Sequence, residues 1–283
     1  MFQSDLLAGK RILITGGGTG LGQMMGRRFL ELGAEIEICG RRLDPLAETQ
    51  AENDANFPGR THIQQLDIRD PEAVDEVVGA LWAARGAVNV LINNAAGNIA
   101  GRFEDLSTRA IDAVFGIVAH GAAYMTHACG KRWIADGVSP ASVLSIVTTY
   151  AWTGSGYVTP SAMGKAAVLA LTRSLAVEWG RHNIRLNAIA PGPFPTEGAW
   201  SRLVPTDELA NIWETRNPLG RVGSPDELTN LAAFLVADQS GYINGEVVTI
   251  DGGEWLAGAG QFNFLGQLSD EKWKEMREMT KTK

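Results

Sequence analysis

Ser161 and Lys165 in SAMGK are four residues apart, one turn of a helix, so a hydroxyl and an amine face the same cleft. An aliphatic hydroxyl is far too weak an acid to protonate a substrate, and a neighbouring lysine cannot lower its pKa enough. The phenols near it are better suited. Tyr150 and Tyr157 flank the glycine-rich stretch YAWTGSGYVTP just before this helix, and either can reach the cleft from a loop. Thr148, at the end of an apolar run, adds a second hydroxyl thirteen residues before Ser161. Together these residues suit hydrogen-bond donation to a developing oxyanion, or acid catalysis by a phenol, beside a cation.

The segment ITGGGTGLG supplies Gly16, Gly20 and Gly22 between a strand and a helix, with Thr15, Thr19 and Leu21 around them. Glycines there let backbone N–H groups approach a pyrophosphate at the helix N-terminus. The second strand ends in ICGRRLD, which presents Arg41 and Arg42 where an acid would bind the two ribose hydroxyls. A guanidinium grips a 2′-phosphate through two parallel hydrogen bonds, so the expected cofactor is NADP(H).

Parallel strands joined by crossover helices must hold these groups. Apolar runs at Lys10–Thr15, Glu35–Cys39, His62–Leu66, Val88–Asn93, Ser142–Val147, Ile184–Ile189 and Val247–Ile250 alternate with helical-period segments, one of them over 20–32 and closing at Gly33. Continuously apolar strands such as RILIT and SVLSIV indicate a sheet covered on both faces. The predicted fold is α/β, a doubly wound Rossmann-type fold with a parallel sheet of about seven strands in a single domain. The catalytic domain is placed at residues 1–257 and a C-terminal tail, possibly helical after Ser269, at 258–283. That tail is either loosely attached or an arm onto a neighbouring subunit or the site mouth.

A net charge of −7 over 283 residues with no basic run argues against a nucleic-acid or membrane-surface partner. Cys39 and Cys129 lie in an apolar run and a helical stretch, so no disulfide framework is expected, and no metal site either. No apolar stretch is long enough for a membrane span, and MFQSDLLAGK lacks the features of a signal or transit peptide. The expected location is cytoplasmic.

The T-G-x-x-x-G-x-G spacing resembles the short-chain dehydrogenase/reductase family, whose usual site is Y-x-x-x-K with a serine about 13 residues before the tyrosine. Lys165 matches that lysine and Thr148 that serine, but Ser161 stands in place of the tyrosine. Tyr150, TGSG at 153–156 and PSAMGK at 160–165 resemble the mitochondrial-type 2,4-dienoyl-CoA reductases in order and spacing, and the likeness continues through LAVEWG, APGPFPTEGAWSRL and INGEVVTIDGG. That resemblance implies NADPH-dependent reduction of a 2,4-dienoyl-CoA to a 3-enoyl-CoA, with an acyl-CoA-type substrate and a homo-oligomer, a tetramer in that family. Tyr150 would donate to the thioester oxygen, and His120, standing where those reductases have an Asn, would be a possible second donor. Lys165 would hold the nicotinamide ribose, and Ser161 would contact the cofactor phosphate or order Lys165.

Around the cofactor the resemblance implies Asp67 and Ile68 at the adenine, and Asn94, Ala95 and Gly97 of NNAAG along the adenosine and ribose. As bare chemistry, NNAAG is equally a turn whose amides tie strands together. Pro191, Gly192 and Thr196 of APGPFPTEG would meet the nicotinamide carboxamide. Trp152, Trp200 and Trp213 are candidates for lining an acyl entry, or for core and subunit contacts. Two alternatives stay open: a ketone or alcohol oxidoreductase using Tyr157 or Tyr150 as a displaced acid, and an NADP(H)-binding sensor or scaffold with little catalysis.

Overall fold

The computed structural model describes residues 2–196 and 215–281. Seven strands form one sheet: β1 (Arg11–Thr15), β2 (Glu35–Gly40), β3 (Thr61–Gln65), β4 (Val90–Asn93), β5 (Ala141–Ile146), β6 (Ile184–Pro191) and β7 (Val247–Ile250). Their spatial order is β3-β2-β1-β4-β5-β6-β7, and every pairing is parallel. The expected seven-stranded, doubly wound sheet is therefore present, each strand within two residues of its predicted limits. The order reverses between β1 and β4, which opens a crevice at their carboxyl ends.

The helices are α1 (Gly20–Glu31), α2 (Leu43–Asp54), α3 (Pro71–Arg85), α4 (Thr108–Phe115), α5 (Gly121–Asp136), α6 (Tyr150–Thr153), α7 (Thr159–Trp179), α8 (Pro225–Val236), α9 (Glu254–Ala259) and α10 (Asp270–Lys281). A wide π-helical turn, Gly116–His120, joins α4 to α5. Successive strand residues point to opposite faces, which explains the unbroken apolar runs. Ile12, Ile14, Val90 and Ile92 bury one way, with Met25 and Phe29 of α1 and Leu228 and Ala232 of α8. Leu13 and Leu91 bury the other way, with Val74 and Val78 of α3, Met125 and Trp133 of α5, and Trp179 of α7. Each of the larger side chains among these contributes about 2 kcal/mol of burial.

Helix starts follow local chemistry. The Asp70 carboxylate accepts the Ala73 N–H at 3.0 Å ahead of Pro71, and Ser224 with Glu227 forms a capping box on α8. Gly137, at φ 64°, ends α5 in the left-handed conformation. Both cysteines are free and buried, as expected from their positions.

Helix α9 spans the expected boundary at 258 and ends at Ala259. Beyond it, α10 starts directly after Ser269, whose hydroxyl accepts the Lys272 N–H at 3.4 Å, as the sequence indicated. Among the described residues no helix is long and apolar enough to cross a membrane.

Candidate active site

The glycine turn after β1 is shaped by close approach. A Cβ at Gly22 would lie 2.4 Å from the Gly16 carbonyl oxygen, and Gly16 itself has a φ of 65°. Gly17 and Gly18, which the spacing argument passed over, are pressed against Ile38 and against the Pro45–Leu46 backbone. Thr19 precedes α1 without a side-chain capping bond, and the first turn of α1 has no acidic residue. Its leading N–H groups thus have no side-chain acceptor among the described residues, the condition under which a helix start receives a phosphate. Leu21 is partly buried and packs against the core.

Across the crevice stands Thr196, whose side-chain atoms would be 3.7 Å from a Cβ on Gly20. Its segment leaves β6 through Pro191 and Gly192, where a Cβ on Gly192 would collide with Asp251 at 2.7 Å. The structure thus places the expected carboxamide segment beside the glycine turn.

The NNAAG turn chiefly ties strands together. The Thr15 hydroxyl donates to the Ile92 carbonyl at 3.3 Å and accepts the N–H groups of Asn94 and Ala95, each at 3.0 Å. One donor and two acceptor sites are then used, so the Thr15 side chain serves here as a structural tie. The Asn94 amide nitrogen likewise donates to the carbonyls of Thr15 and Gly16, at 2.9 and 3.2 Å. Gly97 lies against Ile117.

At the adenosine end, Arg41 and Arg42 are exposed where β2 gives way to α2. Neither forms an ion pair among the described residues. Asp67 is held by Arg69, with its carboxylate oxygens 2.9 and 3.1 Å from Nε, and that guanidinium keeps the carboxyl below its ordinary range. Arg69, in the QLDIRD segment, was not a sequence candidate. Ile68 is buried against the backbone of Gly121.

Tyr150, Ser161 and Lys165 converge where α6 meets the start of α7. The Tyr150 phenol and the Ser161 hydroxyl are 3.0 Å apart, and Ser161 is buried. The partner that the structure gives Ser161 is thus the displaced phenol, because α6 packs against α7. Lys165, one turn on, is also buried and donates to the Ile146 carbonyl at the end of β5. Burial pulls its ammonium down from 10.5 to about 8. The Thr148 hydroxyl is buried with no hydrogen-bond partner among the described residues.

Two other candidates are placed differently. His120 is exposed, its ring edge-on to Phe115 at 5.3 Å and stacked with Tyr124 at 5.8 Å; the hydrogen-bond partner of Tyr150 is Ser161. Tyr157 is 70% exposed at a left-handed φ of 66°, its carbonyl accepting the Gly101 N–H. Beside Tyr150, Trp152 meets Trp255 edge to face at 5.8 Å. Trp255 was missed because no motif covers it. Trp200 and Trp213 lie outside the described residues.

Three observations fit a nicotinamide dinucleotide: the uncapped start of α1, the crowded glycine turn and the orphaned Thr148 hydroxyl at the far end of the crevice. Residues 16–254 match the protein family described as Enoyl-(Acyl carrier protein) reductase. The chain is 40% identical over 248 residues to a Bacillus subtilis protein named probable 2,4-dienoyl-CoA reductase [(2E)-enoyl-CoA-producing], covering 87% of this chain and 97% of that one. It is 38% identical over 273 residues to a Caenorhabditis elegans protein named probable 2,4-dienoyl-CoA reductase [(3E)-enoyl-CoA-producing], covering 94% and 88%. Among solved structures, a gluconate 5-dehydrogenase from Burkholderia cenocepacia in complex with NADP and tartrate superposes with a TM-score of 0.83 at 28% identity, covering 90% of this chain and 98% of that one.

Proposed function

Because the chain belongs to the short-chain dehydrogenase/reductase family, we propose that it is an NADPH-dependent reductase of conjugated acyl thioesters that converts a 2,4-dienoyl-CoA to a 3-enoyl-CoA. The observation that carries this reading is the 3.0 Å contact between the Tyr150 phenol and Ser161, the serine in the usual tyrosine position. A phenol set one loop back from that position suits an oxyanion remote from the reduced carbon, as in a conjugated thioester.

Arg41 and Arg42 would hold the 2′-phosphate, the N-terminus of α1 the pyrophosphate, Thr196 the carboxamide and Lys165 the nicotinamide ribose. When bound, NADPH supplies a hydride to the δ-carbon of the diene. The chain's own task is to stabilise the charge that then collects on the thioester oxygen. Tyr150 donates its O–H to that oxygen, and a donor already in place stabilises the dienolate more than the ground state. Ser161 fixes the phenol's direction, and the Lys165 cation adds a favourable field when protonated. A proton from water at the α-carbon completes the reduction and leaves the double bond at C3.

The test is NADPH oxidation with a 2,4-dienoyl-CoA, a 2-enoyl-CoA and a panel of ketones, with the product's double bond located by NMR. Oxidation specific to the diene and a 3-enoyl product support the reading. Turnover of ketones alone replaces it with carbonyl reduction, and NADPH binding with no turnover points to a non-catalytic role. Substituting NADH in the same assay tests the cofactor assignment.

A further inference from the structure

We propose that Trp255 is a positioning residue for Tyr150, acting through Trp152. This rests on the reading of Tyr150 as the donor to the substrate oxygen. Helix α6 is four residues long, a single turn, and one turn cannot hold its own shape in water. Its geometry must come from what it touches.

Residues two apart on a helix point roughly 200° from each other, so Tyr150 and Trp152 leave this turn in nearly opposite directions. Tyr150 reaches the Ser161 hydroxyl at 3.0 Å, and Trp152 meets the Trp255 ring at 5.8 Å with the planes 84° apart. The turn is clamped from both sides. Edge-to-face geometry is the favoured arrangement of two indoles, so the contact has a preferred orientation as well as area.

Trp255 is itself fixed. The buried Asp251 carboxylate accepts the N–H groups of Gly253 and Trp255 at 2.9 and 3.0 Å, which sets the start of α9. Asp251 in turn lies against Gly192, where the cofactor crevice leaves β6. The contacts thus run from the strand ends through Asp251, Trp255 and Trp152 to the turn that carries the phenol. A donor displaced by a fraction of an ångström loses much of its effect, so slack in this chain should appear in turnover.

The experiment compares Trp255→Ala, Trp255→Phe, Trp152→Ala and the double alanine variant with wild type and Tyr150→Phe, using NADPH and a dienoyl-CoA. Trp255→Ala is expected to lower kcat about tenfold while leaving the KM for NADPH and the melting temperature near wild type, and Trp255→Phe to recover most of the loss. The double alanine variant should be no slower than either single one, since both break one contact. Unchanged kcat in Trp255→Ala, equal losses in kcat and NADPH affinity, or multiplied effects of the two alanines would overturn the proposal. If Tyr150→Phe itself turns over normally, the donor assignment fails and the positioning role falls with it.

Discussion

The Tyr150 phenol and the Ser161 hydroxyl, eleven residues apart in sequence, stand 3.0 Å apart across the junction of a one-turn helix and the long helix α7. The serine in the usual tyrosine position is thus the hydrogen-bond partner of the proposed donor. Ser161→Ala removes that partner and should lower kcat about fivefold to tenfold, the worth of one hydrogen bond, with the KM for NADPH unchanged. Steady-state kinetics check this, and a selective loss of NADPH affinity would instead place Ser161 on the cofactor.

Arg41 and Arg42 are exposed and form no ion pair among the described residues, so their charge is available to a phosphate. Replacing both by Gln should weaken NADPH binding about a hundredfold, as expected for lost charge-assisted bonds, and leave NADH binding nearly unchanged. Fluorescence titration with the two cofactors reads the difference directly. Equal losses for both would remove these arginines from the 2′-phosphate.

Burial brings the Lys165 ammonium from 10.5 to about 8. Its charged form is disfavoured in the native state, so the cation is lost as pH rises through about 8. The kcat/KM for NADPH should fall over that range, and the Lys165→Met variant should be low and flat. The stability effect has the opposite sign: the unfolded chain keeps this proton up to about 10.5, so the penalty is full below about 8 and is relieved between those values. A pH–rate profile of both proteins tests the first, and denaturant melts across the window test the second.

At Gly22 a Cβ would stand 2.4 Å from the backbone oxygen of Gly16 and 2.6 Å from the Asn94 amide nitrogen. Gly22→Ala must therefore push apart the turn and the tie between β1 and β4. Destabilisation of about 2 kcal/mol and a melting temperature lower by about 6 °C are expected, with NADPH binding lost. Calorimetry and titration on the same sample check both; a stable variant that still binds NADPH would contradict the cradle assignment.

Cys39 and Cys129 are fully buried, and burial pushes the Cys39 thiol up to about 12 and the Cys129 thiol up as well. Both should be inert to a thiol-specific reagent in the folded protein and react only as it unfolds. Fast labelling of either in native buffer would show that its surroundings open.

Much of the fold was legible because a buried parallel strand must be apolar on both sides: RILIT and VLIN carry that mark, and the alternation of Ile12, Leu13 and Ile14 between two cores is its cause. The glycine turn was legible because crowding leaves no room for a side chain. The partner of Ser161 was not, since helical spacing relates Ser161 to Lys165 but says nothing of a phenol on another element. His120 read as a donor by position, yet its ring sits among Phe115 and Tyr124, a placement set by the wide turn that spacing cannot show. Trp255 belongs to no motif, and its role depends on a ring contact with a residue far away in sequence.

The central claim is that the displaced phenol of Tyr150 stabilises the oxyanion. The most direct measurement is a single-turnover experiment in which the NADPH-loaded protein is mixed rapidly with a 2,4-dienoyl-CoA and the loss of diene absorbance is followed for wild type and Tyr150→Phe. The predicted result is a rate at least about a hundredfold slower in the variant, with NADPH affinity unchanged. A variant that reduces the diene at the wild-type rate would contradict it.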